Sequence, residues 1–135
     1  MRKSEYQFSV TWGDTDAAGI VFYPTFYKWM DTATHHLFSS IGYPTSELFT
    51  IKKIGLPLIK TTCDFKQPLF FEDKLTIHSE MKEIHNKVFL VEHTFQKDDN
   101  IVAIGTELRA WGDLSGEKPK AVAIPNEVRQ LLEHE

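Results

Sequence analysis

Two aspartates in one short loop are the residues best suited to do chemistry in this chain. Asp14 and Asp16 lie in the run Gly13–Gly19 (GDTDAAG), where small residues follow the second acid. Alanine and glycine leave the backbone uncrowded, so that another molecule can come close. Pro24 follows the loop and suits the first turn of a helix. The two acids therefore precede a helix N-terminus, where unpaired N–H groups and the helix dipole favour negative charge.

A carboxylate in this position has two chemical uses. It can attack a carbonyl carbon, or it can orient and deprotonate a water molecule. Helix N–H groups can at the same time stabilise the oxyanion that forms. Residue types alone favour a simpler interpretation, in which Asp14 and Asp16 are turn and capping residues. Their spacing does not separate the two acids, because side chains two positions apart can point the same way in an extended loop.

One helix and several strands must position this loop. Beyond Pro24, apolar residues recur every three or four positions and predict an amphipathic helix that stops near Gly42. Asp31 falls on its polar side. The residues of the apolar stripe are Phe26, Met30, Ala33, Leu37 and Ile41.

The remainder of the chain alternates in the manner of strands. A short connector follows Gly42, and a short C-terminal helix begins at Pro125-Asn126. An antiparallel sheet needs one face covered, and a single amphipathic helix suits that task. The order predicts one α+β domain over residues 1–135, with a curved antiparallel sheet wrapped around one long central helix. The predicted strands are Glu5–Trp12, Leu56–Lys66, Asp73–Ile84, Lys87–Lys97 and Ile101–Trp111.

Composition narrows the class of protein. A length of 135 residues fits one domain, and a net charge of −4 with a pI of about 5.8 argues against nucleic-acid binding. The single cysteine, Cys63, excludes an internal disulfide and indicates a reducing compartment. The N-terminus does not have the pattern of a signal peptide, and no apolar run approaches the roughly 20 residues of a membrane span. We expect a cytoplasmic protein.

Other kinds of active site have weaker support. No G-x-S-x-G nucleophile elbow occurs, and a lone cysteine in a strand, such as Cys63, is usually a small buried residue. His35 and His36 are adjacent on the predicted helix, so their side chains point about 100° apart and cannot easily share one metal ion. No H-E-x-x-H or paired C-x-x-C pattern is present. We expect neither a metal nor a redox cofactor.

The run Gly13–Asp31 (GDTDAAGIVFYPTFYKWMD) resembles the signature of the 4-hydroxybenzoyl-CoA thioesterase family of hotdog proteins. That signature has two acids separated by one residue, small residues with a glycine, apolar residues, Tyr-Pro and then the helix. The similarity continues through PLIKTTCDFKQPLFFEDKLTI and KEIHNKVFLVEH, and so spans nearly the whole chain. The chain is also similar to the related Tol-Pal-associated acyl-CoA thioesterases.

The resemblance implies a hotdog fold and hydrolysis of an acyl-CoA thioester, which releases free CoA and a carboxylic acid. The acyl group would be aromatic, such as 4-hydroxybenzoyl, or a short-to-medium fatty chain. Asp16 maps onto the catalytic carboxylate, as nucleophile or general base, and the backbone N–H of Tyr23 maps onto the oxyanion donor. Asp31 maps onto an aspartate near the ring hydroxyl of the substrate, although a solvated helix residue is the alternative.

The CoA-binding stretch of the family maps onto the predicted connection between two strands. Only one of its three residues is clearly cationic, whereas the 4-hydroxybenzoyl-CoA branch has a run of basic residues. A solvated turn is the alternative here as well. CoA is part of the substrate, so its binding requires no further cofactor. The three residues are His85, Asn86 and Lys87.

One helix and one sheet leave an open sheet edge and an incomplete pocket. The resemblance implies a homodimer with sheets joined edge to edge, or a homotetramer, with the active site between chains. Two other functions stay open. Hotdog acyl dehydratases pair a histidine with an acid, and the loop here has no nearby histidine. A non-catalytic acyl-CoA or lipid-binding module would make Asp16 a structural residue.

Overall fold

A single long helix, α1 (Pro24–Ser40), lies against a five-stranded sheet in the computed structural model of the chain, which describes residues 1–135. All neighbouring strands of this sheet are antiparallel, in the order β1-β4-β5-β6-β3. The α+β class and the antiparallel sheet around one long helix are confirmed. The strands are β1 (Lys3–Ser9), β3 (Leu58–Phe65), β4 (Lys74–Ile84), β5 (Val88–Lys97) and β6 (Asn100–Ala110).

Smaller elements complete the fold. Two further helices are present, and three two-residue strands form a second sheet in the order β2-β7-β8. None of the helices is both long enough and apolar enough to cross a lipid bilayer. These elements are α2 (Thr45–Lys52), α3 (Asn126–Glu133), β2 (Ile54–Gly55), β7 (Gly112–Asp113) and β8 (Lys120–Ala121).

Helix α1 begins and ends where the sequence predicts. Pro24 is its first residue, and Gly42 adopts a φ of 87° just beyond its end, a conformation that glycine reaches without strain. Every residue of the predicted apolar stripe is buried. The stripe faces the sheet, which explains why this helix was readable from its periodicity alone.

Two local predictions are wrong. The first strand ends at Ser9, and Trp12 belongs to a 3₁₀ turn (Trp12–Asp14) that opens the aspartate loop. The supposed connector after Gly42 contains helix α2, in which only Leu48 is buried. A helix with so little apolar surface has no clear 3.6-residue pattern, so periodicity could not reveal it.

The core divides into two apolar clusters along α1. One cluster contains Phe26 and Met30 near the start of the helix, and the other contains Leu37 and Phe38 nearer its end. Thr34 lies on the helix between these groups and is fully buried. Beneath it, the sheet contributes polar rather than apolar side chains, so a polar row crosses the core. These side chains are Ser79, His93 and Glu107.

Gly105 lets α1 approach the sheet closely. It lies on β6 opposite His93, and a Cβ atom there would clash with the Met30 thioether and come within 2.9 Å of the Thr62 carbonyl oxygen. The Met30 side chain can shift, but the Thr62 backbone is fixed by the sheet. The distance between helix and sheet is therefore set by the absence of a side chain at residue 105.

We expect Gly105→Ala to destabilise the protein by about 1–3 kcal/mol, because the extra methyl group overpacks the contact between α1 and β6. Gly116→Ala is the matched control, since a Cβ there has only an ordinary contact, 3.9 Å from the Lys118 carbonyl oxygen. Thermal or urea unfolding of both variants measures the difference. Equal midpoints for the two variants would contradict the close-packing argument.

Candidate active site

The loop that carries the two acids is ordered mainly by Asp14. Its Oδ2 accepts hydrogen bonds from the Thr11 backbone N–H and the Thr11 hydroxyl, each at 2.8 Å. Its carbonyl oxygen accepts the Phe22 N–H at 3.0 Å, which ties the start of the loop to its end. The first aspartate is thus a capping residue whose side-chain acceptor is already occupied.

Asp16 is exposed and only partly engaged. Its Oδ1 accepts the Ala18 N–H at 2.8 Å, which makes a local turn, and Oδ2 has no partner in the protein. The loop closes through Gly19, which has a φ of 83° and donates its N–H to the Asp16 carbonyl oxygen at 2.9 Å. The glycine reverses the chain, and the turn presents the Asp16 carboxylate at the surface with one oxygen free.

The backbone N–H of Tyr23 has no hydrogen-bond acceptor in the protein. Tyr23 caps the N-terminus of α1, and the next residue, Pro24, has no N–H to offer. The Tyr23 side chain is exposed. A free N–H at the positive end of a seventeen-residue helix is a donor available to an anion.

Asp16 and Tyr23 lie at the same end of α1 but line separate hollows of a single chain. The Asp16 hollow, about 550 Å³, includes Trp12 and Phe71. The Tyr23 hollow, about 290 Å³, includes Phe26 and Phe65. A backbone bridge between Thr15 and Val21 joins the two ends of the loop. Both hollows are open and bordered by exposed aromatic side chains, so neither encloses a ligand on its own.

Asp31 is not a freely solvated helix residue. Its side chain is 51% exposed, yet Oδ1 accepts a hydrogen bond from Arg109 Nη2 at 2.7 Å and lies 3.3 Å from His35 Nε2. Oδ2 has no partner in the protein. Asp31 lies eight positions after Tyr23, which amounts to about 12 Å along the helix.

The residues that connect Asp31 to the core were missed in the sequence. Arg109 Nη2 also donates to Glu107 Oε2 at 2.7 Å, and Glu107 Oε1 is bonded by Thr34 and by His93 Nε2. His93 Nδ1 contacts the Ser79 hydroxyl at 2.7 Å. A signal did exist, because Glu107 and Arg109 occupy alternate positions of β6 in phase with buried residues. Charged residues are almost never fully buried unless they are paired, so two of them on the inner face of one strand indicate a buried network.

The charges of this network are mutually stabilised. Burial alone would raise the pKa of Glu107, but hydrogen bonds and charges of His93 and Arg109 lower it to about 2. Burial alone would lower the pKa of Arg109, and the bonds and charges of Glu107 and Asp31 raise it instead. At neutral pH, Glu107 is therefore a buried anion and Arg109 a buried cation.

The stretch from His85 to Lys87 forms the β4–β5 hairpin connection, as predicted. The His85 N–H donates to the Val88 carbonyl oxygen at 2.8 Å, and Arg129 Nη2 donates to the His85 carbonyl oxygen at 2.6 Å and the Asn86 carbonyl oxygen at 3.3 Å. The Lys87 ammonium has no ion-pair partner in the protein. The hairpin thus has a fixed backbone and a cation free to meet an external anion.

This hairpin and the aspartate loop lie at opposite ends of the sheet. The loop follows β1, whose last residue, Ser9, pairs with Lys74 at the start of β4. The hairpin follows Ile84 at the other end of the eleven-residue β4. Eleven strand residues span roughly 35 Å. A single chain therefore keeps Asp16 and Lys87 far apart.

The structure also describes the surroundings of Cys63 and of the histidines on α1. Cys63 is half-buried on β3, and burial together with the charge of Asp64 raises the pKa of its thiol to about 11, so the reactive thiolate is disfavoured. His35 Nδ1 is bonded to the Thr45 hydroxyl. No three His, Cys, Asp or Glu side chains cluster in a way that could hold a metal ion.

Comparison with known proteins places the chain among enzymes that act on CoA esters. Residues 10–132 match the Thioesterase-like superfamily. The chain is 27% identical over 137 residues to 4-hydroxybenzoyl-CoA thioesterase from Pseudomonas sp. (strain CBS-3), covering 96% of this chain and 97% of the relative. It is 26% identical over 136 residues to 1,4-dihydroxy-2-naphthoyl-CoA hydrolase from Synechococcus sp. (strain CC9311), covering 96% of this chain and 88% of the relative.

A solved structure extends the likeness from sequence to fold. The structure of BH1999 gentisyl-coenzyme A thioesterase superimposes with a TM-score of 0.88 and 46% sequence identity, covering 97% of this chain and 100% of that one. The three relatives share a feature in their names, since each acyl group is a hydroxylated aromatic ring.

Proposed function

The chain belongs to the Thioesterase-like superfamily, and on that premise we propose that it hydrolyses aromatic acyl-CoA thioesters with Asp16 as the catalytic carboxylate. Its α+β architecture is the hotdog fold, and it is an acyl-CoA thioester hydrolase. The observation that carries the proposal is the free Tyr23 N–H at the start of α1, next to a loop in which Asp16 has an unpaired carboxylate oxygen.

The proposed reaction uses both groups on one carbonyl. The Tyr23 N–H donates to no acceptor in the protein, so it is available to stabilise the oxyanion that develops on the thioester oxygen. Asp16 either adds to the carbonyl carbon or removes a proton from the water that adds. The carbon–sulfur bond then breaks, and CoA leaves as the thiol after it takes up a proton. When Asp16 is the nucleophile, water hydrolyses the resulting anhydride in a second step.

The length of α1 between Tyr23 and Asp31 favours an aromatic acyl group over a fatty chain. These residues are about 12 Å apart along the helix. Side chains on a helix are inclined toward its N-terminus, so the Asp31 carboxylate leans toward Tyr23, and one aromatic ring is about the length needed to bridge the two groups. A fatty chain would end at the polar Asp31 and Arg109 pair, where an alkyl group gains nothing from burial.

Acyl dehydration is less well supported. A histidine–acid pair does exist, since His93 Nε2 lies 3.1 Å from Glu107 Oε1. Both side chains are buried beneath α1, at 0% and 2% exposure, and Thr34 covers them. A substrate cannot reach this pair without displacement of the helix, so the pair is better suited to a structural task.

We propose further that two chains complete the site. Strand β3 is an edge of the sheet and exposes Leu58, Ile59 and Phe65, which is the kind of edge that pairs with another strand. An antiparallel β3–β3 contact between two copies has a two-fold axis that reverses the strand direction. The hairpin of one copy then lies at the same end as the aspartate loop of the other. CoA could thus be held by Lys87 of one copy while Asp16 of the second acts on the thioester.

The catalytic assignment is tested by comparing the two acids. Asp16→Asn keeps an acceptor for the Ala18 N–H but loses the negative charge, so we expect turnover to fall by roughly 10²–10⁴ with little change in melting temperature. Asp14→Asn is the matched control, because its oxygen orders the loop through Thr11, and it should lose more stability and less turnover. Steady-state release of CoA thiol and thermal melts measure both. The reverse pattern would reassign the catalytic acid.

The role of Lys87 is tested with two forms of substrate. Lys87→Ala should raise the KM for an aroyl-CoA several-fold, as expected for about 1 kcal/mol from one exposed phosphate contact, with a smaller effect on kcat. The same variant should behave like the wild type on the pantetheine thioester, which has no nucleotide phosphates. An equal effect on both substrates would mean that Lys87 does not contact the nucleotide.

The assembly is tested by light scattering coupled to size-exclusion chromatography. We expect a dimer or a tetramer at micromolar concentration. Ile59→Lys should dissociate the chains and abolish activity, because a charge on the β3 edge opposes strand pairing. Gln7→Lys adds the same charge to the opposite edge strand, β1, and should keep the β3 contact. A monomeric wild-type protein with full activity would refute a site shared between chains.

A further inference from the structure

Arg109 joins a half-exposed helix residue to the interior of the protein. Its Nη2 donates to Asp31 Oδ1 and to Glu107 Oε2, each at 2.7 Å, and its Nη1 donates to the Leu56 carbonyl oxygen at 2.8 Å. The Arg109 side chain is 6% exposed, whereas that of Asp31 is 51% exposed. The planar guanidinium thus fixes the position of the Asp31 carboxylate, at the surface of α1, relative to the buried face of the sheet.

Burial of these charges costs free energy, so the arrangement is a poor means of stabilising the fold. Charges that leave water lose hydration free energy that their mutual attraction often does not recover. The Arg109 Nε is buried without any partner, which adds to that cost. Asp31 could be solvated by water instead, because half of its side chain is exposed. The contact between Arg109 and Asp31 is therefore better explained by the orientation that it gives to Asp31 than by a gain in stability.

We propose that Arg109 is a positioning residue that acts through Asp31 to select substrates with a hydroxyl group on the aromatic ring. This inference rests on the proposed hydrolysis of aromatic acyl-CoA thioesters. Arg109 and His35 both contact Oδ1 of Asp31, so Oδ2 is the oxygen left to accept a hydrogen bond from a ligand. A ring hydroxyl is the donor of the right chemistry and, at the end of a benzoyl group, of the right length.

The net charge of these groups also restricts which ring substituents the site can bind. Arg109 lies between two carboxylates, those of Asp31 and Glu107, so the three groups together carry one net negative charge. A neutral hydroxyl donor is attracted to this site, and a carboxylate substituent on the ring is repelled. The subsite therefore favours hydroxyaryl over carboxyaryl thioesters.

Buried groups fix the position of Arg109, so that it can orient Asp31. Glu107 is bonded on its other oxygen by Thr34 and His93, and the Leu56 carbonyl belongs to the backbone. The low pKa of Glu107, about 2, keeps this anchor charged across the neutral range. Because the buried guanidinium has a fixed position, Asp31 keeps this hydrogen bond only in the rotamer that places its Oδ1 next to Nη2 of Arg109.

The experiment compares kcat/KM for benzoyl-, 4-hydroxybenzoyl- and 2,5-dihydroxybenzoyl-CoA. Wild-type enzyme should prefer at least one hydroxylated substrate over benzoyl-CoA by roughly ten-fold or more, the scale of one hydrogen bond to a charged group. Arg109→Lys keeps the buried positive charge but replaces the planar guanidinium, whose Nη1 bonds the Leu56 carbonyl oxygen while Nη2 bonds Asp31 and Glu107, with a single mobile nitrogen, and should remove most of that preference. Its activity should fall far more on the hydroxylated substrate than on benzoyl-CoA.

A double-mutant cycle separates positioning from general damage. Asp31→Asn should lose the same preference, and Arg109→Lys combined with Asp31→Asn should lose no more than either single variant. Ser79→Ala removes a hydroxyl from the far end of the polar row, and should lower stability without changing the preference. If Arg109→Lys does not fold, Arg109→Met with Glu107→Gln removes both buried charges together and tests the same ratio.

The outcomes distinguish the inference from the function on which it rests. A wild-type enzyme that hydrolyses all three substrates without preference would overturn the inference and leave the thioesterase proposal intact. An unchanged preference in Arg109→Lys, or losses that add in the double variant, would also overturn it. Failure of the wild type to hydrolyse any of the three would overturn the proposed function itself.

Discussion

The contact between helix α1 and the inner face of the sheet is the constraint on which the remaining structure depends. Gly105 sets how closely the helix approaches, and Met30 fills the space that a side chain at residue 105 would take. Because α1 is held at this distance, Thr34 reaches Glu107, and Asp31 reaches Arg109. The start of the same helix presents the Tyr23 N–H beside the aspartate loop. One packing distance therefore fixes the positions of three polar features along a single rigid element.

The polar row beneath α1 shows how a small domain can keep charges in its core. Glu107 tolerates burial because His93, Thr34 and Arg109 occupy both of its oxygens. Removal of one partner would leave a buried charge uncompensated, which is far more costly than loss of the whole set. The two apolar clusters on either side supply the hydrophobic stabilisation that this row does not. The core thus separates stability, which comes from its two ends, from the positioning of polar groups at its centre.

A single chain holds only part of the proposed machinery. Its aspartate loop and its cationic hairpin lie at opposite ends of β4, and the hollows beside Asp16 and Tyr23 are open. Strand β3 leaves an apolar edge at the boundary of the sheet. A two-fold contact at this edge would address all three features together, since it covers apolar surface, closes the hollows and brings the two ends of the sheet into register. The incompleteness of one chain is thus consistent with a function shared by two.

The sequence by itself determined the features that depend on local periodicity and on a contiguous motif. The stripe from Phe26 to Ile41, the alternation through Phe89 and Phe95 and the run from Gly13 to Gly19 all carry their signal within a few adjacent residues. Helix α2 was not predicted from the sequence, because it buries only Leu48 and its periodicity is therefore weak. Asp14 and Asp16 could not be separated by spacing, and hydrogen bonds were needed to show which carboxylate the loop already uses. Only the tertiary structure decided that Asp31 is braced by Arg109, because 78 residues separate the two in the chain and their contact exists only once β6 lies beneath α1.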